Sequence, residues 1–339
     1  MSVSTSLIIT LALFSLGLNA QSCEPVDYRN RLPPVRSQHG FSWCFAFAAA
    51  DLLSFETRVP ISAVGVGISS QRNYAAAYNA VSGKLDIIDY FERPRRDQVY
   101  DTERGENMLI ALQANLDGQP LCREADLPQR FVPAVAPNMD TPIHMQSTAY
   151  RINELRSLIR DSSPRERDIL PPEVQLCNRA DSAARILFPS ANLEDFRKIV
   201  IEIERGSDPM GEFYDLACKS PVQINPDLEI SAVSRDAGAP KLSEALDQQL
   251  SRSPAAIVYN SDLLTNPDST EIKEPNHASV IVARRQNPST GACEYLLRNS
   301  WGPNCSYYNP DLRCENGHIW LPRSVIQKAS AIVGLRSNE

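Results

Sequence analysis

Residues 31–56 read RLPPVRSQHGFSWCFAFAAADLLSFE, and this stretch decides how the whole chain is read. Its first half carries Pro33, Pro34 and Gly40, so residues 25–40 are expected to be extended and turn-like. From Trp43 to Thr57 Ala, Leu and Phe dominate, which predicts a buried helix with Ser42 as its N-cap. A cysteine on an apolar helix is by default a core residue, because free Cys is among the most buried residue types. Cys44 differs in position. It falls in the first turn of the predicted helix, where the positive end of the macrodipole favours a thiolate. Gln38 lies upstream in the Gly-containing loop, from which its amide could fold back beside the sulfur as an oxyanion donor. By itself it would be an ordinary surface Gln.

Downstream, a second helical pattern runs from about Asn107 to Asn115 and ends near Gly118. From 134 to 220 frequent prolines separate short amphipathic stretches such as Ile152, Leu155, Leu158 and Ile159, and the region reads as a helical insertion. Beyond it one helix is expected over Leu242–Leu250. Short β-rich runs follow at Ala256–Tyr259, Ser279–Val282, Tyr295–Leu297 and His318–Leu321. The chain is therefore helical first and sheet-rich last. No internal repeat and no low-complexity tract is present.

His277 enters one of these apolar strands after Pro275-Asn276, and Asn299 ends another, followed by Ser300-Trp301-Gly302. A His at a strand edge is commonly a hydrogen-bonded structural residue, and an Asn there a turn residue, but a strand edge is also a rigid place for a general base. Asn299 could accept a hydrogen bond from one ring nitrogen of His277 and so fix its tautomer. Trp301, otherwise a core residue, could shield that bond from water.

The 339 residues include 34 Lys+Arg against 41 Asp+Glu, a net charge of −7. This acidic balance argues against sequence-independent nucleic-acid binding, which needs clustered basic residues. With 42% hydrophobic and 22% charged residues the chain has the make-up of a folded globular protein. Four His and no CxxC pair give no expectation of a metal site or cofactor. Residues 1–20 hold the apolar run Leu7–Leu18 followed by Asn19-Ala20, too short for a spanning helix, which needs roughly 20 apolar residues. They read as a signal peptide although no Lys or Arg precedes the run, with an uncleaved anchor or a buried helix as the alternatives. Ala20-Gln21-Ser22 is a poor lipobox, which argues against lipidation of Cys23. Export would put Cys23, Cys44, Cys122, Cys177, Cys218, Cys293, Cys305 and Cys314 in an oxidising compartment where disulfides form. One bridge is expected within Cys293, Cys305 and Cys314, and Cys177 with Cys218 could staple a helical segment. If Cys44 is set aside for chemistry, seven remain, so at least one further cysteine is left free or bonded outside the chain.

Residues 31–56 resemble the segment around the nucleophile of papain-like cysteine peptidases, with Gln38 and Cys44 at the family's spacing. Asn276-His277-Ala278 and Arg298-Asn299-Ser300-Trp301-Gly302 resemble its His and Asn motifs, in the family's order. Weaker echoes are Val26-Asp27-Tyr28-Arg29, Ile68-Ser69-Ser70-Gln71, GQPLCREADLP from Gly118 to Pro128, and Gly317-His318-Ile319-Trp320-Leu321-Pro322. The resemblance covers about 26–130 and 221–335. It implies an α+β, two-lobed fold, with a helical lobe over 21–133 carrying Cys44 and a β-barrel-like lobe over 221–339 carrying His277 and Asn299, and 134–220 inserted between them. It further implies acyl transfer to a Cys44 thiolate paired with a His277 imidazolium, with Gln38 in the oxyanion hole and Asn299 holding the ring. Gly105 and Trp301 are implied in substrate binding. The substrate is then a peptide or protein, with no nucleic acid and no stable membrane insertion after signal cleavage.

Several positions depart from the family. Phe45 stands where the family usually has Trp, Phe41 replaces a disulfide cysteine, and the double glycine that lines the substrate backbone is reduced to Gly105-Glu106. The stretch from Cys44 to His277 exceeds the family's ~130–150 residues, an excess that the insertion accounts for. No inhibitory propeptide is expected between 21 and Val26, and the insertion is expected to lie over the groove as a lid, with a bundle on the outer face as the alternative. Two rival readings are a catalytically inactive relative that binds peptides, and a transglutaminase-like or cell-wall amidase enzyme lacking the Asn-Ser-Trp-Gly motif.

Overall fold

Alanine-rich α1 (Cys44–Thr57) is buried on every side from Cys44 to Phe55, as a helix must be when it fills the middle of a lobe. The computed structural model describes residues 23–38, 43–81, 107–117, 120–127, 214–215, 218–269, 271 and 273–337. The N-cap of α1 is Trp43 rather than Ser42: the Ala46 and Phe47 N–H groups donate to the Trp43 carbonyl, and no side chain caps the helix. Ser42 stands one residue too early, outside the described residues. Against α1 pack α2 (Ala63–Arg72) and α4 (Met108–Leu116), and α3 (Tyr74–Val81) packs on α4 through Ala77, Val81, Ile110 and Ala114. Polar caps start two of these helices: the Gly65 N–H donates to Ser62 Oγ (2.9 Å) and the Leu109 N–H to Asn107 Oδ1 (2.9 Å). Gly67 has a packing reason, since a Cβ there would lie 2.5 Å from the Trp43 ring.

The strands are β1 (Val26–Asp27), β2 (Leu228–Ser234), β3 (Ala255–Tyr259), β4 (His277–Gln286), β5 (Cys293–Arg298), β6 (Cys314–Glu315), β7 (His318–Pro322) and β8 (Ala331–Ser337). They pair antiparallel in the order β2-β8-β3-β4-β5-β7-β6, with β1 alongside β4 beyond the end of β3. Side chains alternate between two cores, as the two-residue period of a strand requires. On β3, Ala256 and Val258 join the cluster around α1, while Ala255, Ile257 and Tyr259 face the opposite cluster. A register shift between Ile281 and Ala283 turns both Val282 and Ala283 toward α1. The opposite face is covered by α5 (Ala239–Leu250) through Leu242, Leu246 and Leu250, together with the single turn α6 (Arg323–Ile326). The fold is α+β, a helical layer against an antiparallel sheet that carries a second helix on its far side.

Beyond the cap of α1, sequence and structure differ at two points. Val26 and Asp27 do not stay with the helical lobe, because their backbone completes the free edge of β4 at Arg284 and Ala283. Cys218 bonds Cys122, not Cys177, and the buried Tyr214 donates from its hydroxyl to the Pro120 carbonyl. The end of the expected insertion is thus pinned to the helical layer. The other bridges are Cys305–Cys314, as expected within its trio, and Cys23–Cys293, which leaves no Cys23 thiol for a lipid. The signal peptide, Cys177, Gly105, Gly118 and residues 134–213 of the insertion expected over 134–220 as a lid lie outside the described residues. Among those described, no helix is long and apolar enough to cross a membrane.

Candidate active site

The oxyanion-donor candidate is held by backbone before any side chain contributes. Ser37 forms an antiparallel bridge with Trp301, the Gln38 N–H donates to the Ser300 carbonyl (2.6 Å), and the Gly302 N–H donates to the Arg36 carbonyl (3.1 Å). Residues 36–38 are thereby zipped onto the turn that follows β5. That turn needs its glycines. Gly302 has φ +83°, and a Cβ on Gly317 (φ +75°) would lie 2.3 Å from the Gly302 carbonyl oxygen. The Ser300 hydroxyl donates to Gln38 Oε1, so the amide of Gln38 presents its oxygen to Ser300 and its nitrogen to the other side.

His277 opens β4 and Asn299 immediately follows β5, and the two side chains meet with Nε2 2.7 Å from Asn299 Oδ1. The Ser300 backbone N–H also points at that Asn299 atom (2.8 Å), and a backbone N–H can only donate. The atom is therefore oxygen, the nitrogen of His277 facing it carries the proton, and Nδ1 keeps its lone pair. A third donor is the Ser279 hydroxyl (3.1 Å), and Asn299 Nδ2 donates to the Tyr308 hydroxyl (3.3 Å). The Trp301 ring lies over this group, 5.1 Å from the imidazole and stacked on Tyr308 at 5.7 Å. It covers the His277–Asn299 bond.

Cys44 is the free cysteine among the described residues and begins α1, with its sulfur in reach of the backbone N–H groups of Ala278, Phe45 and Cys44 itself. The Ala278 N–H links it directly to the strand that carries His277. Both groups are nearly closed off from solvent, Cys44 at 7% exposure and His277 at 6%. Burial pushes the thiol up to about 11 against the pull of those N–H groups. It pushes the imidazole down to about 4 against the Asn299 bond. Each shift favours the neutral form of its own group, against the resting thiolate–imidazolium pair expected from the resemblance, because burial costs either charge more than the surrounding donors return.

One element of the site has no counterpart in the motifs read from the sequence. Asp51, one face of α1 beyond Cys44, accepts from Arg36 Nη2 (2.6 Å) and from Arg298 Nε (2.6 Å). Arg36 also donates to the Ile61 carbonyl and to Glu124, and Arg298 to the Pro34 carbonyl. Burial works against the Asp51 charge, but the two guanidinium groups outweigh it and hold the carboxyl below its usual range. The cluster bolts α1 to the Gln38 segment and to the residue before Asn299. A lone Asp within the buried stretch of α1 was the signal for it.

Cys44, His277, Asn299 and Gln38 are thus brought together from three separate parts of the chain, with Trp301 against them. Ser279, Tyr259, Tyr308 and Ser300 belong to the same hydrogen-bonded group and were given no role by sequence, because a buried Ser or Tyr carries no pattern of its own. No family model matches the chain, and no curated protein matches it by sequence. Among solved structures it is similar to the proform of the Amb a 11 cysteine protease, a major ragweed pollen allergen, at 16% identity and a TM-score of 0.47 over 95% of this chain and 67% of that one. It is similar also to two structures of SERA5E from Plasmodium falciparum, at 9% and 11% identity with TM-scores of 0.44 and 0.43. These cover 89% and 93% of this chain and 90% and 96% of those chains.

Proposed function

We propose that this chain is an exported cysteine peptidase of the papain-like kind, acting on peptide or protein substrates. The observation that carries the reading is the His277–Asn299 bond beside a free cysteine at a helix N-terminus, with the Ala278 N–H joining the two. In this reading Cys44 attacks the substrate carbonyl while its proton passes to His277 Nδ1, so charge forms only during the reaction. The Cys44 N–H and the Gln38 amide take the developing oxyanion, and one such donor is typically worth about 3 kcal/mol. His277 then protonates the leaving amine, and water hydrolyses the thioester with His277 as base and Asn299 holding its ring. Gly105 and Trp301 are proposed to border the substrate. The apolar run at 7–18 and three disulfide pairs support export.

Digestion of a peptide library by the purified protein in the presence of a mild reductant tests this. Hydrolysis is expected to vanish in Cys44→Ala and His277→Ala, and to survive weakened in Gln38→Ala and Asn299→Ala. Hydrolysis undiminished in Cys44→Ala overturns the assignment. The deep burial of Cys44 and His277 favours a second reading, a catalytically inactive relative that binds peptides. Binding of library members without turnover, and no labelling of Cys44 by a thiol-reactive peptide, would support that second reading.

A further inference from the structure

The Asn299 carboxamide oxygen gathers more donors than the His277 contact needs. Besides His277 it accepts from the Ser300 N–H and from the Ser279 hydroxyl. Ser279 sits two residues after His277 on β4, so the strand's alternation puts both side chains on one face. Its hydroxyl oxygen is in turn 2.9 Å from the hydroxyl of Tyr259, the β3 residue paired in register with His277. Tyr259 is 1% exposed, Ser279 2% and Asn299 1%, so no solvent competes for these groups.

The directions of these bonds follow from what each group can do. Ser279 spends its one proton on the Asn299 oxygen, so its own oxygen must accept from Tyr259. Burial raises the Tyr259 phenol well above 10, which keeps it a donor. A chain Tyr259 → Ser279 → Asn299 results, ending on the oxygen that receives the His277 proton. Were the amide to turn over, its NH2 would face the Ser279 hydroxyl and the Ser300 N–H, donor against donor. We propose that Ser279, oriented by Tyr259, is a positioning residue that acts through Asn299 to hold His277 as its Nε2–H tautomer, leaving Nδ1 as the base. The tautomer of a neutral imidazole is set by the partner of its other nitrogen, and two rigid strands fix that partner here. The catalytic meaning of this chain rests on the peptidase reading, whereas the tautomer itself does not.

Two readouts test it. The first is 15N spectroscopy of the ring of His277, identified among the four His by comparison with His277→Ala. The unsubstituted protein should show the proton on Nε2, and Ser279→Ala should populate the Nδ1–H form. The second is hydrolysis of a fluorogenic peptide amide taken from the library. Ser279→Ala should lower kcat about fivefold to tenfold, the worth of one buried hydrogen bond. KM should change less than about twofold, because the amide touches His277 rather than substrate. In an Asn299→Ala background Ser279→Ala should add less than about a further twofold, since the route runs through the missing amide. Tyr259→Phe should act in the same direction and more weakly, and it replaces Ser279→Ala as the test if that variant does not fold. An unchanged tautomer in the substituted protein, or a loss of the same size with and without Asn299, overturns the proposal. If no Cys44-dependent hydrolysis is found, the peptidase reading fails by itself, and the spectrum still decides what positions the ring.

Discussion

Cys44 sits where two effects oppose one another, and their balance fixes its reactivity. The helix N-terminus and three N–H groups favour the thiolate, but burial dominates and carries the thiol to about 11. His277 is carried to about 4 by the same cause, so both shifts favour the neutral forms near pH 7. Alkylation by iodoacetamide follows the thiolate fraction. Its rate at Cys44 is expected to be slow at neutrality, to rise about tenfold per pH unit and to level off only above about 11, measured by mass spectrometry with Cys44→Ala as blank. A fast rate that persists down to pH 5 would instead show a resting ion pair. Four residues of the site were legible in the sequence because each stands at a break: Gln38 in a turn-like segment, Cys44 at a helix start, His277 and Asn299 at strand ends. The resting charge state was not legible, since motif spacing carries no information about desolvation.

At the scale of elements, α1 is what the sequence states most plainly, and β2 and β8 least. Alanine-rich α1 reads as buried from composition alone, whereas LEISAVS and AIVGLRS pair from Leu228 with Ser337 to Ser234 with Ala331 and gain their meaning only by pairing with each other across the intervening α5, β3 and β4. Asp51 shows a related limit: a charge within the buried stretch of α1 marks a partner, but nothing local says that the partners are Arg36 and Arg298. Asp51→Ala would leave two buried guanidinium groups facing each other and is expected to cost about 3–5 kcal/mol in urea unfolding. Asp51→Asn keeps an acceptor and should cost less. Because the Asp51 pKa is depressed when folded, its stabilisation is complete above the usual 3.8 and is lost as the pH falls through the lower folded value. An Asp51→Ala protein as stable as the original would show that the cluster does not hold α1 to the sheet.

The whole molecule is closed by covalent links whose redox state conflicts with that of its thiol. Cys122–Cys218 bridges a sequence separation of 96 and fastens the chain where it returns from the 128–213 segment to the helical layer. In the chain-entropy account a loop of about 100 residues is worth about 4.7 kcal/mol, against about 3 for a short one of about 15 residues. Cys305–Cys314, with a separation of 9, belongs at the short end, so Cys122–Cys218 contributes more to global stability. In the proposed exported peptidase, by contrast, Cys44 must remain reduced to react, and a thiol outside the cytoplasm is exposed to oxidation. Activity is therefore expected to pass through a maximum as dithiothreitol is raised: recovery of Cys44 first, then loss as Cys122–Cys218 opens and the helical layer loosens around α1. A protein carrying Cys122→Ala with Cys218→Ala should unfold at a lower temperature than the original in the absence of reductant, and its descending limb should disappear. EDTA should change neither limb. A descending limb that persists in that double variant would place the reductant-sensitive link elsewhere, with Cys23–Cys293, which ties the β1 end of the chain to β5, the next bond to remove.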